Sequence, residues 1–257
     1  QVRSAAKGLS AMARDQKNRP ATRPGAGTPQ TGGSSSGDVQ AFLNQVRSTP
    51  TVRKPGEVGR LIFAMDATAS REPTWDQAMH TQAEMFQETK ALGGLQVQLA
   101  YYRGFGEFEA SDWYADADAL LKRMTGVRCL GGRTQIEKVL KHARKEAKAR
   151  RINAVVFVGD CMEEDVDQLC HLAGELGLMK VPVFAFHEGR DQTARRAFEQ
   201  IARLSGGACC SFDASAAKQL RELLAAVAVF AAGGRKALAD YSEKRGGMTK
   251  LLTHQMK

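Results

Sequence analysis

The sequence predicts an α/β fold: a mostly parallel sheet covered by helices on both faces. From residue 60 onward, strand-like and helical stretches alternate over about 150 residues, the pattern of a parallel sheet with helical crossovers. RLIFAM (60–65) and AVVFV (154–158) are apolar at nearly every position, as strands buried on both sides must be. The chain of 257 residues, with 43% apolar and 25% charged residues, is long enough to bury a full core of this kind.

Residues 1–37 are rich in Gly, Pro, Ser, Thr and Ala and end in TPQTGGSSSG. They cannot bury enough apolar surface to offset chain entropy and are expected to be a disordered basic tail. Asp38 is placed to cap a short helix, VQAFLNQV, whose apolar face is Phe42, Leu43 and Val46. STPTVRKPGEVG then reads as a linker, so 38–59 is a short helix and linker and 60–232 the main domain. Within that domain RLIFAMD (60–66) is a strand, and 75–92 a helix that sets Trp75, Met79, Ala83 and Phe86 at helical spacing. QVQLAYYRG (96–104) is a strand, with a second strand, FGEFEASDWY (105–114), expected beside it. A short helix (115–124) and a charged helix (134–151) lead to INAVVFVGD (152–160), the clearest strand. After it come a helix (166–179), VPVFAFH (181–187), a helix (192–205), a short strand ACCSF (208–212) and a helix from about Ser215. The last helix is apolar nearly all round in LLAAVAVFAA and should pack on the sheet. Gly233–Gly234 break it, leaving 233–257 as a C-terminal extension.

The net charge is +9, but residues 1–60 carry ten Lys/Arg against three Asp/Glu, leaving 27 against 25 for the rest. The basic character therefore sits in the tail, with no nucleic-acid motif and no interleaved aromatics, and no specific nucleic acid is expected as a partner. The longest apolar run, Leu223–Ala232, is ten residues, well short of the ~18 of a membrane span. Five cysteines without C-x-x-C spacing fit a reducing compartment rather than a disulfide framework, and no secretory h-region is present. The expected location is the cytoplasm.

Two buried strands end in polar residues: LIFAMDATAS and FVGDCMEED. In open parallel sheets, ligands bind at the carboxyl ends of the strands. Asp66, Thr68 and Ser70 alternate in an extended loop and can face one point; Asp160 ends the second strand; Thr134 follows the Gly-rich CLGGR at a helix start. Hydroxyls and carboxylates are hard ligands suited to Mg²⁺ or Mn²⁺.

This set resembles the von Willebrand factor type A (VWA) domain with its metal-ion-dependent adhesion site (MIDAS), in the form found in bacterial cytoplasmic members. That motif is D-x-[ST]-x-S, a distant Thr and a later strand-end Asp, matched here by Asp66, Thr68, Ser70, Thr134 and Asp160. Thr68 in place of the commoner Ser keeps the hydroxyl and adds a methyl. The resemblance covers about residues 60–230. It implies a Rossmann-like, doubly wound sheet with one short antiparallel edge strand, supplied by FGEFEASDWY. It also implies direct binding of Mg²⁺ or Mn²⁺ by Ser70, Thr68 and sometimes Thr134, with the aspartates acting largely through water. A partner's Asp or Glu would complete the shell. Cytoplasmic bacterial members act as adaptors or scaffolds beside ATPases or multi-protein assemblies. A site with few direct protein charges leaves the ion electrophilic, so an incoming carboxylate is drawn to it.

Two other classes compete: nucleic-acid binding through the basic tail, and an enzyme. VGDCMEED resembles the acidic motif of haloacid-dehalogenase-type phosphotransferases, whose D-x-D needs a second carboxylate as general acid/base. Position 68 is Thr, which cannot shuttle that proton, and no P-loop or G-x-G-x-x-G is present. The expectation is a non-enzymatic module. His187 and Glu188 end a strand near the same edge, a place from which they could line its rim; His187 reads more simply as a satisfied structural histidine, Glu163 and Glu164 as solvated loop acids, and Cys161 as a small packing residue. Cys170 and His171 are expected to pack within their helix, and Trp75 in the core.

Overall fold

The computed structural model describes residues 36–49, 58–89, 94–212 and 217–255. The expected disordered tail up to residue 35 and most of the linker (50–57) lie outside the described residues. The strands are β1 (Gly59–Asp66), β2 (Leu95–Arg103), β3 (Glu107–Tyr114), β4 (Ala154–Gly159), β5 (Val183–Glu188) and β6 (Cys209–Phe212). The helices are α1 (Ser36–Ser48), α2 (Glu72–Thr89), α3 (Ala117–Thr125), α4 (Ile136–Ala149), α5 (Val166–Leu178), α6 (Gln192–Ser205) and α7 (Ala217–Gln255). A 3-10 turn, Ala69–Arg71, precedes α2.

One sheet runs in the order β3-β2-β1-β4-β5-β6. All pairings are parallel except β2–β3, so β3 is the antiparallel edge strand expected from FGEFEASDWY. The chain winds outward in both directions from β1 and β4, which puts the topological switch point between these two strands. The loops that follow them, 67–71 and 160–165, therefore meet at one edge of the sheet.

Alternation along the strands divides the core. Leu61, Phe63 and Met65 of β1, with Val156 and Val158 of β4, pack under α1, α2 and α7. Ile62, Ala64, Val155 and Phe157 point the other way, onto α4, α5 and α6. Phe42 of α1 sits against Phe184 and Phe186 with ring centroids 6.1 and 5.3 Å apart, so this short helix is part of the same core. Asp38 lies inside the first turn of α1, which starts at Ser36, and is not its cap residue.

Helix α7 is buried from Leu223 through Ala232, as its all-round apolar sequence requires. Its approach to β1 is close: a Cβ on Gly59 would stand 2.5 Å from the Ala231 carbonyl oxygen. The helix breaks at Gly234, whose φ of 73° and ψ of −164° are accessible to glycine alone at low cost. Leu238, beyond the break, is again fully buried. Trp75 is core, donating from its indole nitrogen to the Met124 carbonyl at 3.2 Å. Cys170 is half-buried, but His171 is exposed on α5, because it falls on the face turned away from the sheet. No helix among the described residues is long and apolar enough to cross a membrane.

Two histidines make stability pH-dependent. Burial pushes the pKa of His142 and of His187 below the ordinary 6.5. Each stays neutral in the folded state while its unfolded counterpart takes a proton. Stability is therefore full above about 6.5 and lost as pH falls toward the depressed folded values. Asp66, whose pKa is raised, works in the opposite direction at lower pH. The urea midpoint should drop between about pH 7.5 and 5.5, and His142→Gln should remove part of that drop. A midpoint flat across this range would refute the assignment.

Candidate metal centre

Asp66 is the last residue of β1 and has no solvent exposure. Its Oδ1 accepts from the Thr68 backbone N–H at 2.7 Å, which turns the loop, and its Oδ2 accepts from the Tyr102 hydroxyl at 3.1 Å. Tyr102 stands opposite Asp66 in the β1–β2 register and is itself fully buried. The loop is pinned further by Ala67 N–H to Tyr102 O (2.9 Å) and Arg71 N–H to Thr68 O (2.9 Å). Thr68 and Ser70 thereby present their hydroxyl oxygens 3.3 Å apart. Ser70 Oγ donates to Asp160 Oδ2 at 2.9 Å, across the switch point. Asp66, Thr68, Ser70 and Asp160 thus form one hydrogen-bonded chain.

Thr134 arrives by a different route. Leu130 N–H donates to Ala67 O at 3.0 Å, and Arg133 N–H to Gly104 O at 3.0 Å, which lays the Gly-rich segment along the edge. Only glycine fits at 132, where a Cβ would stand 2.0 Å from the Gly104 carbonyl oxygen. Thr134 then pairs reciprocally with Glu163: its N–H donates to the Glu163 carboxylate (3.1 Å), and its Oγ1 accepts from Glu163 N–H (3.0 Å). It is joined to the Asp160 loop through Glu163, not hydrogen-bonded to the other four.

Glu163 and Glu164 are more than solvated loop acids. Gln135 is the cap residue of α4 and its side chain makes no capping bond. The Glu164 carboxylate does that work from the opposite loop, accepting from Ile136 N–H (2.7 Å) and Glu137 N–H (2.8 Å). Glu164→Ala should cost about 1–2 kcal/mol by freeing both donors and unhooking the β4 loop from α4. An unchanged urea midpoint would show that the cap carries no stability.

Burial chiefly raises the Asp66 pKa; the Thr68 hydrogen bonds oppose it, Asp160 adds to it, and Arg71 opposes it. Burial likewise pushes the Cys161 thiol up to about 12, with the Asp160 and Asp66 carboxylates adding to the effect. Arg71, 1% exposed, is paired with Glu188 at the end of β5, and Thr74 donates to the same carboxylate. Glu188 thus anchors the start of α2 rather than lining an open rim. His187 is buried, with its ring edge-on to Phe198 and facing the Asp160 backbone, in keeping with a structural histidine.

The residues fit a divalent cation. The Asp160 Oδ1 is shielded from solvent and makes no well-formed hydrogen bond, and two hydroxyl oxygens and the Asp66 carboxylate stand beside it. An anionic oxygen left bare inside a protein is costly, and a cation removes that cost. Sequence reasoning missed Tyr102, Glu163 and Glu164, because their roles depend on register and on contacts across about thirty residues.

No protein-family profile and no curated protein matches the chain. Solved structures do. The VWA domain of SpRpn10 superposes with a TM-score of 0.51 at 14% identity, over 65% of this chain and 94% of that one. The vWF domain of the type V pili tip protein Mfa5 from Porphyromonas gingivalis gives 0.51 at 10% identity, over 70% and 95%. Proximal thread matrix protein 1 from the mussel byssus, a structure with a zinc-occupied MIDAS motif, gives 0.53 at 14% identity. The match covers 70% of this chain and spans about half (48%) of that protein. At these identities the likeness concerns architecture, and the conclusion is that this chain has the fold of a von Willebrand factor type A domain.

Proposed function

We propose that the chain is a metal-dependent protein-interaction module, in which Asp66, Thr68, Ser70, Thr134 and Asp160 hold Mg²⁺ or Mn²⁺ and an Asp or Glu of a partner protein completes the shell. The observation that carries this reading is the hydrogen-bonded chain from Asp66 to Asp160, ending on a buried carboxylate oxygen with no well-formed hydrogen bond. A bound ion supplies an electrophilic position for an incoming carboxylate. The chain's own residues orient it: Tyr102 and the Thr68 backbone fix the Asp66 carboxylate, and Glu163 fixes Thr134. That one structure of this fold has a zinc-occupied MIDAS motif supports a divalent ion at this edge.

The module does no covalent chemistry on this reading, since Thr68 occupies the place of a general acid/base. It acts in the cytoplasm as an adaptor or scaffold, beside an ATPase or within a larger assembly. Purified chain should quench the free-ion paramagnetic resonance of Mn²⁺. Proteins it retains from native extract in Mg²⁺ should be released by a chelator. Mn²⁺ that stays free, or retention indifferent to chelator, sinks the proposal. Turnover of a generic phosphate ester lost in Asp66→Asn would move the reading to a phosphotransferase.

A further inference from the structure

We propose that Cys161 is a further ligand of this site, so that the ion it prefers is a thiophilic divalent cation, Zn²⁺ in class, over Mg²⁺. The inference rests on the metal-site reading and changes which metal that site takes. The Cys161 sulfur and one carboxylate oxygen each of Asp66 and Asp160 lie within 4.8 Å of one another. Ligands stand about 2.0–2.3 Å from a zinc ion, so two of them in a tetrahedral site are about 3.3–3.8 Å apart. The three groups are therefore within about 1.5 Å of the spacing one ion imposes, a gap that side-chain rotation closes. Beside the thiol, the Asp160 Oδ1 is shielded from solvent without a well-formed hydrogen bond. Cys161 is a free, half-buried thiol.

An oxygen-only set suits Mg²⁺, which keeps several waters and has little affinity for sulfur. One thiolate changes the ranking, because sulfur ligation strengthens binding of Zn²⁺ and Co²⁺ far more than of Mg²⁺ or Mn²⁺. On binding, the Cys161 S–H bond breaks heterolytically, its proton passes to solvent, and the sulfur electron pair forms the bond to the metal. No electron is transferred and no co-reactant is needed.

Co²⁺ titrated into the full chain, kept reduced with a phosphine, tests this directly. A thiolate-to-cobalt charge-transfer band should grow in the near ultraviolet and be bleached by Zn²⁺ but not by equal Mg²⁺. Cys161→Ser and Asp160→Asn should each abolish the band, which separates this site from the other four cysteines. Cys161→Ser should weaken Zn²⁺ binding about tenfold or more, and Mn²⁺ binding much less. A band that is absent, or that survives Cys161→Ser, while Mn²⁺ still binds, overturns the thiol ligand and leaves the metal site standing. Failure of Co²⁺ and Mn²⁺ alike overturns both.

Discussion

Asp66→Asn is expected to abolish divalent-ion binding and, with it, all chelator-sensitive capture of partner protein. The substitution removes a charge from the β1 end of the hydrogen-bonded chain while changing little else. The Asn oxygen can still accept from Thr68 N–H, and the amide can donate to the Tyr102 hydroxyl in place of the bond it now receives. The fold should therefore lose no more than about 1 kcal/mol. Asp66→Ala is a poorer probe, because it leaves Thr68 N–H and the buried Tyr102 hydroxyl unpaired at about 1–3 kcal/mol each. Paired measurements of Mn²⁺ binding and urea unfolding on Asp66→Asn decide the matter. Wild-type affinity for the ion would refute the central place given to this carboxylate. Thr134→Ala is expected to act partly through the loop, since its hydroxyl accepts from Glu163 N–H.

Phe230→Ala should cost about 3–5 kcal/mol, the largest stability loss of any single core truncation proposed for this chain. Phe230 is fully buried near the centre of α7 and stands edge-on to Phe184 of β5 at 5.6 Å. Its neighbours cannot close the gap, because α7 is already seated against β1 at Gly59 with backbone in contact. Set against the roughly 5–15 kcal/mol that stabilises a typical domain, this loss puts folding itself at risk. Urea denaturation compared with Phe230→Leu reads the effect. A loss under about 1 kcal/mol would mean that α7 is not the cover of this face.

Most elements were legible because their periodicity is local. Helix α6 falls on the residues its pattern predicts, and the break in α7 falls at the glycine pair. The edge strand β3 was harder, since its half-exposed residues carry a weak signal, yet it is present and antiparallel. The misreadings share one cause. Asp38, Glu163, Glu164, Glu188 and His171 were judged by residue type, and what each does depends on what the fold sets opposite it. Glu164 illustrates this: no local feature ties it to the N-terminus of α4, 28 residues earlier in the chain.

By itself the sequence determined the α/β class, the buried character of β1 and β4, and the types of polar residue at their ends. Those properties follow from burial period and side-chain chemistry, which act over a few residues. The tertiary structure alone decided the strand order that brings the ends of β1 and β4 together. It also decided the register that sets Tyr102 against Asp66, the Glu163 link to Thr134, and the nearness of Cys161 to both aspartates. Each of these is a contact between segments distant in the chain. No local energy term specifies such contacts until the sheet has formed.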